Sequence, residues 1–199
     1  MYERQSALYL KIPRKITILG LGGTGSWCAY FSALVGVRQI GLVDFDVLEE
    51  HNLNRTPYWP SQVGKKKLEA MSELIHTVRL PLKSFCPDLY MFDKSTDELS
   101  PIQWELLGGG FIIDCRDIAS QIPLKIHIKL GYDGFDTTIW LNPNYKNLRG
   151  EIQGMYSTFP SYLCPCVSLA NTAINLLCTN NFPKEEKIIN RNLNREVIL

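Results

Sequence analysis

The sequence predicts an α/β fold: a mostly parallel sheet flanked by helices, with a short antiparallel extension towards the C-terminus. Three observations carry this. Short unbroken apolar runs, such as Phe111 to Asp114, read as strands buried on both faces of a parallel sheet. A glycine-rich turn, Gly20-Leu-Gly22-Gly23-Thr-Gly25, joins the first such run to a stretch of helical character. Further on, Leu124, Ile126, Ile128 and Leu130 alternate with Lys125, His127 and Lys129, which suggests a strand with one wet face.

Element by element, residues 1–15 form a polar arm containing Pro13, and Ile16 to Leu19 make the first strand. The glycines let the backbone turn sharply and approach a phosphate, whose charge is favoured by the N–H groups and dipole of a helix running from Thr24 to Val35. A second strand ends at Asp44, 19 residues after Gly25, where such a unit places the carboxylate that accepts ribose hydroxyls. Strand, glycine turn, helix, strand and terminal acid together define a nucleotide site.

Val47 to Trp59 is polar and turn-rich, hence a loop. Ser61 is a plausible N-cap for a helix with Val63, Leu68, Met71, Leu74, Ile75 and Val78 at helical spacing, ended by Pro81. Leu82 to Phe85 is a candidate third strand, and Pro101 to Leu107 a short helix stopped by Gly108-Gly109-Gly110. Phe111 to Asp114 reads as a central parallel strand ending in acid. The alternating stretch after Leu124 reads as a strand, with a short helix as the other option. Tyr132-Asp133-Gly134 supplies a turn before a strand over Thr137 to Leu141. Leu169 to Cys178 reads as a buried helix with Ala170, Ala173, Ile174 and Leu177 on one face, and the tail from Lys184 is polar and Asn-rich.

The chain has 199 residues, 45% apolar and 21% charged, the profile of an ordinary soluble globular domain. A formal charge of +1 gives no basis for electrostatic binding of nucleic acid or membrane. No apolar run approaches the length of a bilayer span, and the polar start Met1-Tyr-Glu-Arg-Gln5 is not followed by a signal-peptide core, so the expected compartment is the cytoplasm. Of six cysteines, Cys28, Cys86 and Cys115 lie in apolar surroundings typical of buried thiols. His51, His76 and His127 have no spacing that suggests a triad or a zinc site.

The series Gly20-x-Gly22-Gly23-x-Gly25-Ser26, Asp44-x-Asp46, Asn52-Leu-Asn54-Arg55, Gly64-x-x-Lys67 and Asp114-Cys-Arg-Asp117 resembles the ubiquitin-activating-enzyme-like adenylyltransferases of the ThiF/MoeB type, whose domain is Rossmann-like. Tyr2-Glu3-Arg4-Gln5 resembles the arm element of that family. The resemblance implies attack of a carboxylate, usually the C-terminus of a small ubiquitin-like protein, on the α-phosphate of ATP, giving an acyl-adenylate and pyrophosphate. It implies that Asp44 holds the ribose, that Arg55 and Lys67 contact the phosphates, and that Asp117 binds Mg2+. Arg4 would then act from a partner subunit, so a homodimer is expected. Asn52 and Asn54 are counted with the glycines among the nucleotide-binding residues, with shaping of the loop that aims Arg55 as their other reading. For Asp46, capping of the following turn and a ligand role stand side by side.

On this resemblance the chain is one domain: an arm (1–15), an ATP-binding half (16–117), a reduced acceptor-binding half (118–183) and a polar tail (184–199). Relatives often hold zinc with two C-x-x-C pairs, whereas Cys164-Pro-Cys166 is C-x-C with only Cys178 beyond, so no structural zinc is expected. Some relatives use a cysteine nucleophile after adenylation, a role that would fall here on Cys164 or Cys166. The chain is short for the family, and Ile118 stands where relatives commonly carry Asn. These departures bear on the acceptor more than on the nucleotide. Two alternatives remain: a tRNA nucleoside carboxylate as acceptor, and a non-catalytic nucleotide-binding or dimerising module.

Overall fold

A computed structural model describes residues 3–79, 86–118, 121–144, 161–179 and 181–193. In chain order its elements are α1 (Glu3–Ser6), β1 (Lys15–Leu19), α2 (Gly23–Val35), β2 (Gln39–Val43), α3 (Lys67–Arg79), β3 (Asp88–Phe92), α4 (Pro101–Leu107), β4 (Phe111–Asp114), β5 (Ile128–Asp133), β6 (Asp136–Leu141), α5 (Leu163–Cys178) and β7 (Lys187–Asn192). The strands form one sheet in the order β3-β2-β1-β4-β5-β6-β7. The first five are parallel to one another, and β6 and β7 add antiparallel. The predicted class is therefore the observed one.

Register sets up the site. Leu19 pairs with both Val43 and Asp114, and Val43 with Phe92, so β1, β2, β3 and β4 all end at one edge of the sheet. Gly20, Asp44 and Cys115 follow there, at the carboxyl ends of the strands, where open α/β sheets bind ligands. Beneath this edge the sheet is packed on both faces. One core joins Ile16, Ile18, Ile40 and Leu42 to α2, α3 and α5, and a smaller one joins Leu19, Val43 and Ile112 to Trp104 and Leu107 of α4.

The contact between α2 and α5 is built from alanine. Ala29 and Ala33 on one helix and Ala170 and Ala173 on the other are completely buried, so the backbones come close. At its far end α2 stops in a left-handed Gly36 (φ 105°), with N–H of Val37 returning to O of Ser32 at 3.0 Å.

Several expectations need correction. Ser61 does not cap α3: it lies in a 3-10 turn (Pro60–Gln62), and Gly64 at φ 90° separates that turn from a helix beginning at Lys67. Val63 is accordingly exposed rather than on the helix's apolar face. The candidate third strand at 82–85 falls outside the described residues, and the third strand observed is β3, a half-exposed strand at the edge of the sheet.

Of the two readings of 124–130, the strand holds, but only from Ile128. Ile126 belongs to the α4-side core with Ile122, so packing under that helix produced the upstream alternation. The turn before β6 is a two-residue one with Gly134 at φ 57° in its first position. Helix α5 begins six residues earlier than expected, at Leu163 rather than Leu169. Pro165 is tolerated because the first turn of a helix needs no intrahelical N–H bond. The polar tail contributes β7, an edge strand that leaves Ile188 exposed beside its polar residues while Ile189 packs on the core.

Candidate nucleotide site

The site is assembled around the turn from β1 into α2. Gly20 takes φ 84°, a region unfavourable to other L-residues. A Cβ on Gly25 would stand 1.8 Å from O of Gly20, so the helix starts directly on the turn. Asp44 ties this turn to β2. Its Oδ2 accepts from N–H of Leu21 at 2.6 Å and its Oδ1 from N–H of Asp46 at 2.8 Å. Burial pushes the Asp44 carboxyl up from the ordinary carboxylate range, opposed by Lys67 and by these two N–H groups. Each oxygen retains a further lone pair, which suits a pair of ribose hydroxyls.

Asp46 has a role weighed in neither of its two readings. Its Oδ2 receives Nζ of Lys67 at 2.6 Å, and its backbone O receives N–H of Lys67 at 3.0 Å. Three consecutive lysines are thereby told apart. Lys65 pairs with Glu73, Lys66 reaches O of Phe45 and Asp93, and only Lys67 is buried beside Asp44 and Asp46.

The 49–56 loop is shaped by its own asparagines. Oδ1 of Asn52 accepts from N–H of Glu49 at 3.0 Å, and O of Asn52 accepts from the Thr56 hydroxyl at 2.9 Å. Nδ2 of Asn54 donates to O of Ser161 at 3.1 Å, while its Oδ1 accepts from Nη1 of Arg55 at 2.9 Å. Nη1 of Arg55 also donates to O of His51 at 2.7 Å. Trp27 of α2 donates to the Arg55 carbonyl at 2.9 Å, pinning the loop to the helix. The Arg55 side chain thus lies beside Gly23, together with the Tyr132 hydroxyl and the Cys166 thiol. Burial pushes both of those groups up from their ordinary pKa values. Tyr132 was read in the sequence only as part of a turn, and no local signal marks it as a neighbour of the glycines.

At the end of β4, Asp114 is completely buried and ion-paired with Arg116 and Lys129. Asp117, three residues on, is exposed at the same edge of the sheet. Among the described residues no three or more His, Cys, Asp or Glu side chains gather as a metal cluster. Cys164 and Cys178 sit near opposite ends of the 16-residue α5. At ~1.5 Å per residue they are roughly 20 Å apart, too far to share one ion within a chain. All six cysteines are free thiols; Cys164 is exposed and Cys166 buried.

Arg4 is the one predicted residue held away from this group. The backbone of α1 is described but the Arg4 side chain is not, and Gln5 beside it donates to O of Val35 at 2.9 Å, at the C-terminal end of α2. The 13 residues of α2 put that end ~20 Å from the glycine turn. A cleft of about 620 Å³ opens there, lined by Gln5, Tyr9, Ile12, Gly36, Arg38 and Asp88 among others, and no predicted nucleotide residue lines it.

Residues 9–85 match the ThiF family. The segment is well under half of the chain and spans the glycine turn, Asp44, Asn52, Asn54, Arg55 and Lys67, so the likeness to that family lies in this stretch. A ubiquitin-like modifier-activating enzyme 5 of Culex quinquefasciatus is 32% identical over 72 residues, covering 36% of this chain and 18% of the relative. The tRNA threonylcarbamoyladenosine dehydratase of Escherichia coli K12 is 30% identical over 114 residues, 57% of this chain and 41% of that protein. The chain thus spans well under half the length of these relatives. Among solved structures, PaaA superposes with a TM-score of 0.60 at 21% identity, covering 90% of this chain and 64% of that one. The microcin C7 biosynthetic enzyme MccB, in complex with N-formylated MccA, superposes at 0.61 with 15% identity and the same coverage. These two likenesses establish a shared fold.

Proposed function

We propose that this protein is an ATP-dependent adenylyltransferase that activates a carboxylate, the C-terminus of a small ubiquitin-like protein or peptide, as an acyl-adenylate with release of pyrophosphate. The observation that carries the reading is a pair of cations near the glycine turn: Arg55 beside Gly23, and Lys67 buried against Asp46 and near Asp44, which itself holds the turn. A dinucleotide oxidoreductase would use the glycines and Asp44 but has no evident need of those cations. Relatives named as ubiquitin-like modifier-activating enzymes favour a protein acceptor.

In this reading Asp44 accepts the ribose hydroxyls, and the N–H groups at the start of α2 face the phosphates. Arg55 presents a planar fork to phosphate oxygens, and Lys67 moves from Asp46 to them as a point charge. The acceptor carboxylate attacks the α-phosphorus, and the bond to the pyrophosphate oxygen breaks with its electron pair. Little covalent chemistry is asked of the protein, which holds two anions together and offsets the charge that develops. Asp117 suits Mg2+, an ion held by one or two carboxylates plus phosphate oxygens, and exposure at the strand edge leaves its carboxylate open to such a ligand. When bound, the ion would neutralise phosphate charge. Arg4 is read as a finger for a second subunit's site, a reading that the docking of α1 at the far end of α2 favours, and the active form as a homodimer with shared sites.

Pyrophosphate exchange tests the reaction. Exchange that depends on a ubiquitin-like protein or peptide supports it. The likeness to the E. coli tRNA dehydratase favours a second acceptor, a nucleoside carboxylate in tRNA, for which exchange would depend on tRNA instead. ATP binding without exchange in the presence of either acceptor would leave a non-catalytic module of the same fold.

A further inference from the structure

We propose that Lys129, on β5, is a positioning residue for the turn that carries Asp117. The inference rests on the assignment of Asp117 to magnesium made above. Nζ of Lys129 donates to O of Arg116 at 2.8 Å and to O of Ile118 at 3.3 Å, so one ammonium gathers the carbonyls on both sides of Asp117. Its remaining donor points to Oδ2 of Asp114 at 3.3 Å. Three donors meet three acceptors, the full capacity of a lysine ammonium.

Asp114 completes the clamp from the other side. Its Oδ1 accepts from N–H of Arg116 at 3.0 Å and from Nε at 2.9 Å, and its Oδ2 accepts from Nη2 at 3.0 Å. Nη1 of Arg116 reaches the Thr96 hydroxyl at 2.6 Å. The segment after β4 is neither helix nor strand, so side chains rather than a backbone ladder determine its path. Asp117 itself is exposed, and the position of its carboxylate follows from the backbone that Lys129 holds. The lysine is only 15% exposed, unlike an ordinary lysine on a wet strand face. Removing its head group would take one donor from each of these two carbonyls and one cation from Asp114. Groups one step behind a metal ligand commonly change metal affinity by about 10- to 100-fold.

The test is calorimetry of ATP binding with and without Mg2+ on the intact protein, together with amide hydrogen exchange over 115–118 without nucleotide. Wild type is compared with Lys129→Gln, Lys129→Arg and Asp117→Asn. Lys129→Gln is expected to keep its magnesium-free ATP affinity, lose about ten-fold of the gain that Mg2+ gives, and exchange 115–118 faster. Arginine should restore part of both. A folded Lys129→Gln with the wild-type magnesium gain and wild-type exchange overturns the proposal, provided Asp117→Asn has lost the gain. If Asp117→Asn keeps the gain, the assignment of Asp117 fails and the proposal falls with it. Should Lys129→Gln not fold, Lys129→Met, which keeps the length and removes the donors, takes its place, and a wild-type magnesium gain and exchange there overturn the proposal.

Discussion

Gly25 can be no other residue while α2 starts where it does, because any Cβ would collide with the Gly20 carbonyl. Gly25→Ala should therefore cost on the order of 3 kcal/mol, at the upper end of overpacking, read as a lowered urea midpoint. Arg55→Ala and Lys67→Ala should behave oppositely, keeping the fold and losing turnover, because the partners of the Arg55 guanidinium lie at the exposed surface and the half-exposed Asp46 partner of Lys67 can turn to water. Wild-type exchange rates in these variants would remove both from the chemistry. His127 gives a pH signature. Its Nδ1 accepts from N–H of Ile112 at 3.2 Å, so the folded state holds it neutral, and burial and then Lys125 keep its pKa below the ordinary value. The unfolded chain binds that proton more readily, so this stability is fully present above about 6.5, the unfolded histidine value, and is lost as pH falls from there through the lowered folded pKa. Thermal melts should show a steeper loss from pH 7 to pH 5 in wild type than in His127→Asn; equal slopes would contradict this. The glycines, Asp44 and Arg55 were legible in the sequence because they lie in one contiguous stretch. The Asp46–Lys67 pair and the Asp114–Lys129 pair were not, because they join residues 21 and 15 positions apart that only the fold brings together.

Among the elements, α2 and α5 depend on smallness rather than on large apolar side chains. Ala173→Leu should push the helices apart and destabilise the protein by about 1–3 kcal/mol, measurable by denaturant unfolding. A neutral result would mean that the alanine seam has room the packing does not suggest. The buried central strands were legible because their residues are apolar throughout, whereas edge strands need only one buried face. Half-exposed β3 and mostly polar β7 accordingly escaped notice, and polar residues before β7 obscured it further. The start of α5 was hidden by Pro165, a helix breaker everywhere except in the first turn. For α3, regular apolar spacing ran back through Val63 into a turn, since periodicity does not register a left-handed Gly64.

At the scale of the whole molecule, the residues proposed to bind nucleotide gather at one edge of the sheet, and α1 lies at the other end of α2. That separation predicts complementation: mixing an Arg4→Ala variant with an Arg55→Ala variant should regain part of the activity each lacks, through hybrid dimers with one intact site. No recovery in a confirmed mixed dimer would rule out the trans finger. Residues beyond β4 were least legible, because packing under α4 and across the sheet, rather than a contiguous motif, sets where β5 and α5 begin. The central claim is that the glycine turn, Asp44, Arg55 and Lys67 form an ATP site, and calorimetry of ATP with Mg2+ against NAD, on wild type and on Asp44→Asn, tests it most directly. Magnesium-dependent binding of ATP in preference to NAD, weakened in a folded Asp44→Asn, is the expected result. Preference for NAD, or ATP binding indifferent to Asp44, would contradict it.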